Sequence, residues 1–198
     1  MVYLIGNWKS RETVTETKIW LEKFQSQNLP PQKNLEIVIC MPFTDLAEAN
    51  RLISLANLHL KTGAQDVSQF ESGAHTGGIT AHMLSELVHY CLVGHSERRR
   101  DTNEDCPTVA EKTKLLLDAH ITPIVCVDTP YLEDQVKSIF ALNIPINHCL
   151  FAYEPITAIG TGQPATPENI ETIAAKIAFL TDSACPILYG GSITKDNF

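Results

Sequence analysis

Tyr90-Cys91-Leu92-Val93-Gly94-His95-Ser96-Glu97-Arg98-Arg99 holds the pattern that decides the architecture. Four apolar residues end at a glycine, and a histidine and a polar, helix-opening segment follow at once. A run this short and this apolar reads as a strand buried on both faces, which is the habit of parallel sheets. The same unit recurs on either side. Strands are expected at 3–6, 35–40, 58–63, 90–94, 122–127, 149–153 and 186–189.

Between these runs the spacing becomes helical. Val109, Thr113, Leu116 and Leu117 share a face opposite Glu111, Lys112, Lys114 and Asp118. Leu132, Val136, Ile139 and Phe140 form a second such face, and Ile170, Ile173, Ala174 and Ile177 a third. Thr166-Pro167 supplies an N-cap with proline at the first helical position, and Thr44 and Thr80 read as similar caps. No linker or charge block interrupts the alternation, so residues 1–198 are expected to form a single domain of right-handed βαβ units.

Bulk properties narrow the function. With 198 residues, 44% hydrophobic and 19% charged, the chain has the composition of a globular protein with ample core. A formal net charge of -8 argues against a general nucleic-acid binder. It leaves small anionic substrates open, because local amides and cations set the potential inside a site. The opening Met1-Val2-Tyr3-Leu4-Ile5-Gly6-Asn7-Trp8-Lys9 lacks the pattern of a signal peptide. No apolar run approaches the roughly 20 residues of a membrane span. The six cysteines have no C-x-x-C pair and sit mostly in apolar runs, which suits reduced thiols in a cytoplasmic protein rather than a zinc or disulfide framework.

Alternation alone fits either an open doubly wound sheet or a closed (β/α)₈ barrel. The reactive residues separate them. Asn7 and Lys9 follow the first strand, His95-Ser96-Glu97 the fourth, Glu154 the sixth and Gly190-Gly191-Ser192 the seventh. An open sheet gathers its ligand at one switch point. A barrel collects strand-end residues from all round its mouth, so the barrel is the expected fold.

Each of these residues has an ordinary role open to it as well as a chemical one. Glu154, after a buried strand, can merely cap backbone groups, or, stripped of solvation, act as a base. His95 can be a buried structural histidine. It can also meet backbone N–H groups at a helix start and stay neutral, able to polarise a carbonyl. Lys9 can solvate a surface, or hold its ammonium against a phosphate or an enediolate. Ala158-Ile159-Gly160-Thr161-Gly162 and Gly190-Gly191-Ser192 are two glycine-bearing turns whose amides suit an anion.

In order along the chain stand Gly-Asn-Trp-Lys (6–9), Gly-Ala-Gln-Asp (63–66), Gly-Ala-His-Thr-Gly (73–77), His-Ser-Glu-Arg-Arg (95–99), Ala-Tyr-Glu-Pro (152–155), Ala-Ile-Gly-Thr-Gly (158–162) and Tyr-Gly-Gly-Ser (189–192). Through them the chain resembles the triosephosphate isomerases along its whole length. The resemblance implies interconversion of dihydroxyacetone phosphate and D-glyceraldehyde 3-phosphate through a cis-enediolate, as established for that family. On that likeness Glu154 is the base and His95 polarises the substrate oxygens. Lys9 supplies positive charge, Asn7 binds substrate, and Glu97 supports the geometry of Lys9 and His95. Gly160, in a closing loop, and Ser192 give backbone N–H groups to the phosphate. The resemblance also implies that no metal or organic cofactor is needed, and that a homodimer forms through the loop around Thr76.

The chain departs from the family pattern at Cys126-Val127-Asp128-Thr129, at Thr157 and at Gln163-Pro164-Ala165. It reaches Phe198 just as Thr194 opens what the pattern makes a seventh helix, whereas a typical barrel takes about 250 residues. The expectation is therefore a barrel incomplete at its C-terminal end, lacking the final strand and last helices. Two rival readings stay open at this level: an inactive relic that keeps the motifs as a structural or interaction fragment, and a barrel isomerase for a larger sugar phosphate.

Overall fold

The computed structural model describes residues 1–156, 158 and 164–194. The chain divides into two units, Met1–Leu92 with Ala119–Ile121, and Val93–Asp118 with Thr122 onward.

In the first unit β1 (Val2–Asn7), β2 (Leu35–Met41), β3 (Lys61–Ala64) and β4 (Tyr90–Val93) pair in parallel, each with its neighbour in sequence. Asn7 is level with Cys40, Cys40 with Gly63, and Gly63 with Tyr90. Helix α1 (Val14–Ser26) opens with a capping box: Glu16 N–H donates to the Thr13 hydroxyl and the Glu16 carboxylate takes the Thr13 N–H. Helix α2 (Leu46–Leu55) departs from expectation at its start. Asp45, not Thr44, is the N-cap, and its side chain makes no capping bond. Its fully buried carboxylate instead accepts from the hydroxyls of Thr17 at 2.8 Å and Thr44 at 2.9 Å, tying α1 to the start of α2. Helix α3 (Ala81–Leu84) is capped by Thr80 as its sequence suggests.

Strand β3 begins at Lys61, three residues later than the apolar run implies. The Leu58 N–H donates back to Ile53 at the end of α2, and Asn57 is left-handed there, so this stretch is spent on ending the helix.

In the second unit β5 (Thr122–Val127), β6 (Leu150–Tyr153) and β7 (Ile187–Tyr189) are parallel, with Val127 level with Tyr153 and Tyr153 with Tyr189. Helices α4 (Ser96–Thr102), α5 (Cys106–Asp118), α6 (Leu132–Ala141) and α7 (Pro167–Leu180) belong to this unit. Thr166 caps α7 by accepting from Asn169 N–H, with Pro167 at the first helical position. The strand residues Val125, Cys126, Val127 and Phe151 have no exposed surface, as expected of strands covered on both faces. Each such large side chain contributes about 1.5–3 kcal/mol by leaving water.

Two helical faces differ from the periodic reading. Lys112 is buried because its ammonium meets the Glu104 carboxylate, itself 3% exposed. On α6 Gln135 is fully buried together with Leu132 and Ile139, while Phe140 stays 47% exposed. Gln135 can be buried because its amide is satisfied, accepting from Arg99 Nη2 at 2.7 Å and donating to the Cys106 carbonyl at 3.2 Å. Among the described residues no helix is long and apolar enough to cross a membrane.

Candidate active site

The second unit places His95 and Glu154 against each other. Gly94, the residue after β4, has φ of +69°, and a Cβ there would meet Arg99 Nη2 at 2.6 Å and Val109 at 3.0 Å, so glycine alone fits. Its N–H donates to Glu104 Oε2 at 3.1 Å and its carbonyl accepts from Arg99 Nε at 2.8 Å. His95 follows as the N-cap of α4, and its Nδ1 accepts the Glu97 N–H at 3.2 Å. An accepting Nδ1 carries no proton, so the neutral ring bears its hydrogen on Nε2. Glu97 Oε2 lies 3.7 Å from the same Nδ1.

Glu154 stands at the end of β6, with its N–H donating to the Val127 carbonyl at 2.9 Å. Its side chain is 10% exposed, that of His95 8%. Glu154 Oε2 is 3.6 Å from His95 Nε2, beyond hydrogen-bond length but close enough for both groups to address one small ligand. Gly190 makes room for this carboxylate, since a Cβ at that position would come within 3.0 Å of Glu154 Cγ. The Gly190 N–H is taken by the Tyr153 carbonyl at 2.9 Å, so this amide continues the pairing of β6 with β7 rather than serving an anion site. Next to it Ser192, with φ of +46°, donates its hydroxyl to the Ala158 carbonyl, and Tyr189 Oη accepts the Ala165 N–H at 2.8 Å. Gly160 lies outside the described residues, as do Thr157 and Gln163.

The first unit holds Asn7 and Lys9, both half-buried. Asn7 ends β1, and its side-chain oxygen accepts the Lys9 N–H at 2.9 Å. Lys9 is left-handed at φ of +55°. That conformation is held from the far side by Gln65, whose amide donates to the Lys9 carbonyl at 2.9 Å and to the Cys40 carbonyl at 3.1 Å. Trp8 donates its N–H to Cys40 and packs edge-on against Trp20. Gln65 therefore positions Lys9, a role that the sequence reading did not assign although the residue lies in one of its motifs. Thr76 is exposed in a loop where the rings of Phe70 and His75 stack at 4.0 Å.

A buried carboxylate facing a neutral imidazole N–H is equipped to move a proton from carbon while the ring stabilises charge on a neighbouring oxygen. Among the described residues, no group of three or more His, Cys, Asp or Glu is arranged to hold a metal ion. Comparison with known proteins agrees with this chemistry. A family model described as triosephosphate isomerase matches residues 2–198. The chain is 38% identical to the triosephosphate isomerase of Thermus thermophilus, an alignment that covers all of this chain and 86% of the relative. It is 40% identical to that of Gluconacetobacter diazotrophicus over 96% of the chain and 83% of the relative. For the Mesomycoplasma hyorhinis enzyme the identity is 35%, over 98% and 84%. Parallel strands alternating with helices in each unit, a strand-end carboxylate beside a strand-end imidazole and a match over nearly every residue converge on one conclusion: the chain belongs to the triosephosphate isomerase family, whose fold is the (β/α)₈ barrel.

Proposed function

We propose that this chain interconverts dihydroxyacetone phosphate and D-glyceraldehyde 3-phosphate, with Glu154 as the base and His95 as the electrophile. The observation that carries the reading is the 3.6 Å approach of two enclosed groups, Glu154 Oε2 and the proton-bearing Nε2 of His95. Glu154 removes the proton α to the carbonyl, and the C–H electron pair moves into the enediolate as negative charge grows on the carbonyl oxygen. The Nε2–H of His95 hydrogen-bonds to that oxygen and passes protons between the two substrate oxygens. Glu154 then returns its proton to the neighbouring carbon. Atoms and electrons balance with no redox partner, so the reaction needs no organic cofactor. The enclosure of both side chains favours this chemistry, because an enediolate in open water loses phosphate by elimination.

In this reading residues 1–198 act as one barrel domain. Lys9 supplies positive charge, Asn7 binds substrate, Glu97 supports Lys9 and His95, and the amides of Gly160 and Ser192 hold the phosphate. The active form is a cytoplasmic homodimer joined through the loop around Thr76, testable by sedimentation of the parent and Thr76→Arg chains. A coupled assay of the full chain tests the chemistry. Glu154→Gln, which cannot accept the proton, is expected to lower kcat by at least about 10²–10⁴-fold. Turnover at the parent rate would remove Glu154 from the mechanism.

A further inference from the structure

Asp128-Thr129-Pro130-Tyr131, directly after β5, brings no group of its own to the reaction, yet it touches the backbone on both sides of the chemistry. We propose that this segment is the positioning element of the acid–base pair, with Asp128 as the residue that fixes Glu154. The inference rests on Glu154 and His95 being that pair.

Asp128 is 5% exposed and uses both carboxylate oxygens. Oδ1 accepts from the Thr129 N–H at 2.7 Å and the Thr129 hydroxyl at 3.2 Å, while Oδ2 accepts the Ile156 N–H at 3.0 Å. Ile156 is two residues beyond Glu154, and Pro155 between them has no N–H and a fixed φ. Residues 154–156 thus own two backbone donors, and both end on consecutive residues of the β5 terminus: Glu154 N–H on the Val127 carbonyl, Ile156 N–H on the Asp128 carboxylate. Rotation of the chain at Glu154 pulls Ile156 away from Asp128, so the second bond fixes the direction in which the Glu154 side chain leaves the strand. A carboxylate acceptor makes this bond roughly twice as strong as a neutral one. Burying that charge is a costly way to satisfy one amide, and holding the position of the neighbouring base is what the cost achieves.

The other end of the segment reaches His95. Tyr131 closes a turn by donating its N–H to the Asp128 carbonyl at 3.2 Å. The Arg99 guanidinium lies 4.0 Å above the Tyr131 ring, and Arg99 Nε donates at 2.8 Å to the carbonyl of Gly94, the residue before His95. Among the described residues the buried Tyr131 hydroxyl has no hydrogen-bond partner, so it is the ring's contact with Arg99 that ties this end of the segment to Gly94. The gap between His95 and Glu154 is therefore referenced, on both sides, to one short loop.

The test uses Asp128→Ala, Asp128→Asn and Glu154→Gln in the full chain, with kcat, KM, thermal midpoint and amide exchange at Ile156 measured for each. Asp128→Ala is expected to lower kcat about 10–100-fold, the cost of misplacing a reacting group by a fraction of an ångström to an ångström, with KM near the parent value. Exchange at Ile156 should accelerate in step. Asp128→Asn keeps one carbonyl acceptor of the same shape and should recover part of both losses; it also carries the test if the alanine variant folds poorly. An Asp128→Ala enzyme with parent kcat per folded molecule would overturn the proposal, as would loss of kcat with Ile156 exchange unchanged. Full turnover by Glu154→Gln would overturn it too, through the base assignment on which it rests.

Discussion

Gly190→Ala isolates the cost of crowding the proposed base from every other effect. A Cβ built at residue 190 lies 3.0 Å from Glu154 Cγ and 3.4 Å from its Oε1. Carbon atoms prefer about 3.5–4.0 Å, so the glutamate must yield by roughly half an ångström to an ångström. Its carboxylate is already 3.6 Å from His95 Nε2 and 8% of the residue is exposed, so it has little space in which to yield without leaving that geometry. A displacement of this size costs about 10–100-fold in kcat, equivalent to about 1.4–2.7 kcal/mol in the barrier. The backbone tells the opposite story. Gly190 is not in the left-handed region, so alanine fits its φ and should raise stability by about 0.4–1 kcal/mol through the unfolded chain, less whatever the contact costs. Activity should therefore fall while the urea midpoint holds or rises. A coupled assay in both directions, paired with urea unfolding, reads the two quantities. Parent kcat in a stably folded Gly190→Ala enzyme would refute the claim that the position of Glu154 is sterically set by residue 190.

Two further outcomes concern stability. Lys112→Met leaves the Glu104 carboxylate, which also receives the Gly94 N–H, buried without its counter-ion, and should cost about 3–5 kcal/mol by urea unfolding. Adding Glu104→Gln to it should return a large share of that loss, and equal destabilisation of the single and double variants would count against the pairing. Burial pushes the Cys149 thiol from its ordinary 9.0 up to about 12, with Cys185 adding to the effect. The protonated thiol is then favoured by the folded state, so this contribution is whole below pH 9 and drains away as pH rises from about 9 to 12. Cys149→Val should flatten the stability curve across that window, and identical alkaline slopes for parent and variant would contradict it.

Much of this was legible along the chain because burial on both faces writes itself as uninterrupted apolar runs. Thr122–Val127 was bounded to the residue, and the other strands to within one or two residues except β3. Caps were legible where a hydroxyl meets the third N–H after it, as at Thr80 and Thr166, and illegible at Thr44, whose hydroxyl found a buried carboxylate instead. Periodicity misplaced Lys112 and passed over Gln135 for one reason: it scores a side chain by its own polarity, whereas burial depends on whether a partner elsewhere satisfies it. Asp128 and Gln65 escaped notice as positioning residues because neither would touch the substrate. Their meaning lies in bonds to Ile156 and Lys9, which no local spacing announces.

The order of strand and helix and the choice of barrel were settled by the sequence, and the residues proposed to react were nominated by it, since each reading follows from local polarity and the position of a residue at a strand end. The 3.6 Å between Glu154 and His95, the tautomer fixed by Glu97 N–H, and the hold of Asp128 on the chain after Glu154 were decided only by the fold. Those are distances and angles between residues far apart in the chain, and parallel pairing of β5, β6 and β7 with the turn after β4 had to form before any of them had a value.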